Sequence, residues 1–157
     1  MIFVHQIAAA LLLVTLTLWL QCAWIATLIT WVRRAVAREM DQSVPFRSAV
    51  LVVRLATAEI AVHGLQVLLW ACSYRWLCFP SWESALYFSA SSYATVGYGD
   101  LVLPPKWRML GPLESIIGVL MCGLSVSFLF AVAMRLISNE DDPHGARAAI
   151  SAKSENV

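Results

Sequence analysis

The segment Ile7–Val32, IAAALLLVTLTLWLQCAWIATLITWV, carries no charged residue and is long enough to cross the hydrocarbon core of a bilayer as one helix. No other feature restricts the fold as much, because a soluble domain cannot cover a run of this length. The rest of the chain agrees: of 157 residues, 60% are hydrophobic and 13% charged, where soluble chains carry about 25% charged residues. The run does not read as a secretory leader. The start, MIFVHQ, lacks Lys and Arg, the apolar part is too long, and no A-x-A site follows. RRAVAR follows instead, which reads as a stop on the cytoplasmic side. A net charge of +1 gives no reason to expect a nucleic-acid partner.

Two further runs are long enough to span. One extends over about 46–72 and contains Arg54, Glu59 and His63; the other runs from about Pro105 or Leu110 to Ile137. Between them, SWESALYFSASSYA is too short to cross and too apolar for an ordinary exposed loop. Ser81 after Pro80 suits a helix N-cap, and Glu83 suits the first turn. These features predict an all-α membrane protein with three transmembrane helices. A re-entrant helix over 81–94 is followed by a loop, 95–100, that returns the chain to the side it came from.

Charge sets the expected orientation. Arg33, Arg34, Arg38 and Arg47 crowd the first connection, Arg54 can reach the same side, and Arg135 ends the third run. The opposite side holds Arg75, Lys106 and Arg108. The bias places the N-terminus outside and the C-terminus in the cytoplasm. Trp70, Tyr74, Trp76, Trp82 and Trp107 are expected at the outer boundary and Trp31 at the inner one, with Trp19 and Trp24 packed between helices. The polar tail, 138–157, is expected to be disordered. Cys22 and Cys122 read as free, buried thiols, whereas Cys72 and Cys78 are spaced so that a disulfide stays open beside the free state.

The loop itself reads TVGYGD, Thr95 to Asp100. A dehydrated cation inside a membrane needs oxygens to replace its water, and carbonyls supply them without the trapping strength of a carboxylate. Aiming successive carbonyls at one axis requires backbone of alternating handedness. Glycine takes the left-handed positions without a Cβ clash, and Gly97 and Gly99 have that spacing. Thr95 adds a hydroxyl, while Val96 and Tyr98 point away from the axis. Such backbone is tolerated at membrane depth only where it is buried in protein or lines a wet cavity. The sequence fails as a dinucleotide fingerprint, because Val102 stands where the third glycine belongs.

Thr95-Val96-Gly97-Tyr98-Gly99-Asp100 resembles the selectivity-filter signature of the potassium-channel pore-domain family. The resemblance extends over about 46–137, and with the extra N-terminal helix the chain is similar to small bacterial channels with one pore loop per subunit. It implies an outer helix over about 46–72, a pore helix over 81–94, a filter over 95–100 and an inner helix over about 105–137. Residues 1–45 add a transmembrane helix and a basic cytoplasmic loop. It further implies a homotetramer in a bacterial cell membrane, with K+ held at Thr95, Val96, Gly97 and Tyr98. There is no chemistry performed and no cofactor beyond K+ as the permeant ion.

The chain departs from the family in the support of this segment. Tyr87 and Phe88 stand where two tryptophans are frequent, Ser91 where a carboxylate is frequent, and Ala94 where a second threonine is frequent. Tyr87 can still donate to Asp100; Phe88 cannot donate. Altered filter stability is the expected consequence. Asp100 reads both as an acidic outer mouth and as a filter anchor. Gly118 and Gly123 each read as a gating hinge or as a close-packing position, with Gly118 the better match to the family hinge. Glu114 suits the first turn of its helix and the back of the pore helix.

Glu59 and His63 lie four apart and share a helix face near the middle of the membrane. They read either as a pH sensor or as a polar clamp to the first helix through Gln21 or Thr27. No helix repeats arginine at every third position, so no voltage sensor is visible. Two rival functions stay open: a non-conducting or regulatory subunit of a larger channel, and a membrane enzyme or transporter built on Glu59, His63 and Glu114. The absence of a repeated half speaks against a transporter.

Overall fold

A computed structural model describes residues 2–39 and 45–141. These residues form four helices: α1 (Ile2–Glu39), α2 (Pro45–Leu77), α3 (Trp82–Tyr93) and α4 (Leu110–Asp141). Three are long and apolar enough to cross a membrane, over Gln6–Arg34, Ala49–Leu77 and Leu110–Leu136. The last is the most apolar, with a mean hydropathy of 2.5.

The helix ends follow local chemistry. α2 opens on Pro45, whose missing N–H costs nothing at a first helical position. It runs five residues beyond the expected Cys72, to Leu77, before Pro80 enforces the break. Ser81 caps α3: its Oγ accepts the Ser84 N–H at 3.1 Å. α4 starts at Leu110, the later of the two expected starts. Residues 104–110 first form two turns, with the Trp107 N–H on the Pro104 carbonyl at 2.8 Å and the Leu110 N–H on Trp107 at 3.1 Å. Pro112 then sits in the first turn, where its ring has no preceding helical carbonyl to strike. α1 continues to Glu39 and α4 to Asp141, so helix extends into both segments read as loop and tail. Residues 40–44 and the tail beyond Asp141 lie outside the described residues.

The short α3 packs against α2 and α4, and α1 packs against the same two long helices. One apolar cluster gathers Ala10, Leu13, Trp70, Tyr74, Ala85, Tyr93 and Met121 around α3. A second, with Leu28, Val32, Leu51, Leu55 and Val132, joins α1, α2 and α4 at the far end.

Several expectations are corrected here. Trp70 and Tyr74 turn inward and are fully buried, because each finds a polar partner: Trp70 Nε1 donates to Thr17 Oγ1 at 3.1 Å and the Tyr74 hydroxyl donates to Glu114 at 2.7 Å. Trp76 and Trp82 do face outward. Trp19 is exposed rather than packed between helices. Cys22 and Cys122 lie on outward helix faces and are not buried within the chain. All four thiols are free. Burial pushes the Cys78 thiol up to about 11, which keeps it protonated and slow to react.

Candidate functional site

The last turn of α3 controls how the chain enters the 95–100 segment. The Ser91 carbonyl accepts two backbone N–H groups, from Val96 at 2.9 Å and Gly97 at 3.2 Å. The Ser92 carbonyl accepts the Thr95 N–H at 2.9 Å. The helix end is thus folded back on itself, and its terminal carbonyls are satisfied by the residues that follow.

Beyond that point the backbone alternates. Positive φ occurs at Thr95 (60°), Gly97 (54°) and Gly99 (80°), and not at Val96 or Tyr98. Left-handed backbone at the two glycines is what their spacing predicts; its extension to Thr95 was not legible in the sequence. A Cβ added to Gly97 or Gly99 would meet nothing within 4 Å. Conformation, not lack of room, is therefore what requires glycine at these positions. Residues 94–100 are all exposed in the isolated chain.

The residues expected to support this segment take different roles. The Tyr87 ring stacks on Tyr98, with centroids 6.2 Å apart and planes 14° from parallel. Its hydroxyl bonds Asp100, which raises the phenol above its ordinary range. Tyr87 therefore links α3 to both Tyr98 and Asp100. Phe88 turns the other way: its ring meets Tyr74 edge-on at 5.0 Å and lies 5.4 Å from Phe79. The Ser91 side chain donates to the Phe88 carbonyl at 3.0 Å, inside its own helix, so Ser91 acts on residues 96–97 through its carbonyl alone.

α4 holds the back of α3. Glu114, fully buried, accepts the Ser89 hydroxyl at 2.6 Å and the Tyr74 hydroxyl at 2.7 Å, joining α3 and α2 through one carboxylate. Ser115 Oγ donates to the Ser92 carbonyl at 2.7 Å. A Cβ placed on Gly118 would sit 2.3 Å from the Tyr93 carbonyl oxygen, well inside contact distance. Close approach of α3 thus gives Gly118 a packing reason to be glycine. Gly123 has no such neighbour, and α4 is unbroken through both positions.

Deeper in the bundle, one buried polar network touches all four helices. Gln21 Nε2 of α1 donates to Glu59 Oε2 at 3.3 Å and to Ser125 Oγ at 2.9 Å. Ser125 donates to Glu59 Oε2 at 2.7 Å. His63 joins Tyr93 to Ser125, with Nδ1 2.8 Å from the Tyr93 hydroxyl and Nε2 3.0 Å from Ser125 Oγ. Gln66 Nε2 donates to Gln21 Oε1 at 2.7 Å, and the Tyr93 hydroxyl donates to Gln66 Oε1. The clamp to the first helix therefore runs through Gln21. Thr27 bonds its own helix at the Ala23 carbonyl. Gln66, Ser89, Tyr93 and Ser125 were not singled out from the sequence; polar residues inside apolar runs were the available signal.

Four helices, three of them able to span, and a left-handed alternation after the short one define the class: a helical membrane protein with a non-helical polar segment set between spans. Residues 62–135, the stretch from the middle of α2 through most of α4 and a little under half of the chain, match the family model described as ion channel. The match contains α3, the 95–100 segment, and His63, Gln66, Glu114, Gly118 and Ser125. Neither the curated proteins nor the solved structures give a match to this chain.

Proposed function

We propose that the chain is a potassium-selective channel subunit, with residues 95–100 as the filter and α3 as a re-entrant pore helix. One observation carries this reading. Positive φ at every second residue, Thr95, Gly97 and Gly99, is the backbone that turns successive carbonyls toward a common side. It occurs in an exposed segment of the stretch that matches the ion-channel family model, flanked by two apolar helices long enough to span.

One chain contributes one such segment, and a ring of carbonyls needs several around an axis. A homotetramer meets that need and covers the exposed face of residues 94–100. K+ binds at the carbonyls of Thr95, Val96, Gly97 and Tyr98, and four copies of Asp100 concentrate cations at the outer mouth. The basic residues near the ends of α1 and α4 favour an orientation with the N-terminus outside and the C-terminus inside a cell membrane. Conduction is passive. The carbonyls exchange with the ion's hydration water, and no bond is made or broken.

Reconstituting the purified chain alone in a bilayer, under opposed K+ and Na+ gradients, tests this directly. The reversal potential is expected to follow K+. A potential that follows both ions refutes selectivity. Silence in every condition, with a mass below that of a tetramer, supports the reading as a non-conducting subunit of a larger assembly.

A further inference from the structure

The buried network contains two ionisable residues at membrane depth, Glu59 and His63, joined through a single hydroxyl. Its donors and acceptors can be counted. A hydroxyl has one proton to give. Tyr93 gives its proton to Gln66 Oε1, since Gln66 Nε2 is engaged on Gln21 Oε1 at 2.7 Å. His63 Nδ1, 2.8 Å from the Tyr93 oxygen, must then carry a hydrogen. The amide orientations are tied together: turning Gln21 over would set its oxygen against Glu59 Oε2, and Gln66 would have to turn with it.

At the other ring nitrogen one proton has two places to reside. When Glu59 is ionised, Ser125 donates to Glu59 Oε2 and His63 Nε2–H donates to Ser125, making His63 an imidazolium. When Glu59 is protonated at Oε2, it donates to Ser125, and Ser125 donates to a bare Nε2. The two arrangements interconvert as the Glu59 O–H bond breaks and a Ser125 O–H bond forms, while the former Ser125 proton moves to His63 Nε2. Atoms and net charge are unchanged. Glu59 Oε1 is buried without a partner, so every hydrogen bond of the carboxylate runs through Oε2.

We propose that Glu59, Ser125 and His63 form a one-proton relay that positions Tyr93, and through it the chain from Thr95 onward. Tyr93 stands two residues before Thr95, and its carbonyl is wedged against Gly118. With the shared proton present, His63 holds the Tyr93 hydroxyl while His63 Nε2, Ser125 Oγ and Glu59 Oε2 all have partners. Removing that proton leaves the Nε2 lone pair facing the Ser125 lone pair, because Ser125 still donates to the carboxylate. The end of α3 is therefore held firmly while the shared proton is in place and loosens when it is removed. Around this site α1 contributes the neutral Gln21. α2 contributes Glu59 and His63, α3 contributes Tyr93, and α4 contributes Ser125, with Glu114 and Cys122 close enough to act electrostatically on Tyr93. His63, Ser125 and Glu59 are positioning residues, since none touches the 95–100 segment.

The functional half of this inference rests on the channel reading, so the test has two arms. In the first, the full chain with 15N-labelled histidine is studied in lipid by NMR, with His63 assigned by its loss in His63→Asn. His63 Nδ1 is expected to carry the hydrogen that faces Tyr93, with Nε2 the nitrogen that gains or loses the shared proton. In Glu59→Gln the new amide donates to Ser125 and Ser125 to Nε2, so Nε2 stays bare. A bare Nδ1, or a His63 titration unchanged by Glu59→Gln, overturns the relay. Ser125→Ala tests the same coupling independently, and an unaltered Nε2 titration there overturns it too. In the second arm, the K+ over Na+ permeability ratio is followed with pH. It is expected to fall about tenfold on alkalinisation in the wild type, the size of one lost hydrogen bond to a charged group, and to stay level in Glu59→Gln. A level wild-type ratio beside a titrating His63 overturns the link to Thr95. Absence of current in all variants refutes the channel reading, and the NMR arm then decides the relay by itself.

Discussion

The two faces of α3 are built differently. The inner face is buried and bonded: Ser89 to Glu114, the Ser92 carbonyl to Ser115, and Tyr93 to Gln66 and His63. The outer face, with Tyr87 and the exposed residues 94–100 that follow the helix, makes its contacts mainly within itself. The contrast has a physical reason. Polar groups at membrane depth need partners, and α2 and α4 of the same chain supply them on one side. On the other side a single chain has nothing further to offer, which is what a surface completed by other copies would look like. The chain thus makes a rigid mount and leaves the mounted segment open.

Substitutions can break this contrast, and their effects should rank by face. The largest belongs to the glycines of the open segment. Gly97→Ala or Gly99→Ala forces a side chain into left-handed backbone, which costs about 1–2 kcal/mol per subunit. Selective K+ current is expected to disappear in the reconstituted protein, while helix content by circular dichroism stays unchanged. Retained selectivity would mean that the alternation is dispensable.

Next comes the mount. Gly118→Ala puts a methyl group 2.3 Å from the Tyr93 carbonyl oxygen, so α3 and α4 must separate. Overpacking of this kind costs about 1–3 kcal/mol, measurable as a lowered thermal midpoint in detergent. Gly123→Ala, which meets nothing within 4 Å, is expected to leave that midpoint in place. A hinge role would show the reverse signature, with gating altered at both positions and stability at neither.

Glu114→Gln should have a smaller effect. The amide can still accept one hydroxyl, but its NH2 group must replace an oxygen that accepts from Tyr74 or Ser89. A loss of about 1 kcal/mol is expected, read from the same midpoint. An unchanged value would show that the carboxylate does not join α2 to α3.

The smallest effect belongs to Tyr87→Phe, which keeps the stacked ring and deletes only the bond to Asp100. Faster loss of current during sustained opening is the expected outcome, with selectivity retained. The bond also makes a pH prediction. Because Asp100 raises the Tyr87 phenol, the bond is fully present below the ordinary tyrosine range and is lost only as pH rises through the higher folded value. Ultraviolet titration of the phenolates in wild type and Tyr87→Phe would show which part of the signal belongs to Tyr87 and whether it titrates above the ordinary tyrosine range.

Much of the architecture could be read in the chain because each feature is local. Apolar length gave the spans, Ser81 and Pro80 the start of α3, and the Gly-x-Gly spacing the handedness at 97 and 99. Errors arose where a residue's neighbour lies on another helix. Position along α2 points Trp70 and Tyr74 to a boundary, yet helix rotation turns both inward to Thr17 and Glu114. Cys22 and Cys122 sit in apolar runs but on outward faces. Glu59 and His63 were seen as a pair from their i, i+4 spacing, whereas they meet through Ser125, a residue 62 positions beyond His63.

By itself the sequence determined that this chain crosses a membrane, that a short helix precedes TVGYGD, and that two glycines there permit left-handed backbone. These follow from hydropathy, capping and sterics, which act over a few residues. Tertiary structure alone decided that Thr95 joins the alternation and that Gly118 meets the Tyr93 carbonyl. It also decided that Gln21, Glu59, His63, Gln66, Tyr93 and Ser125 form one network. Those outcomes depend on how four helices are rotated and how closely they pack, which becomes fixed only when every buried polar group has to find its partner across the bundle.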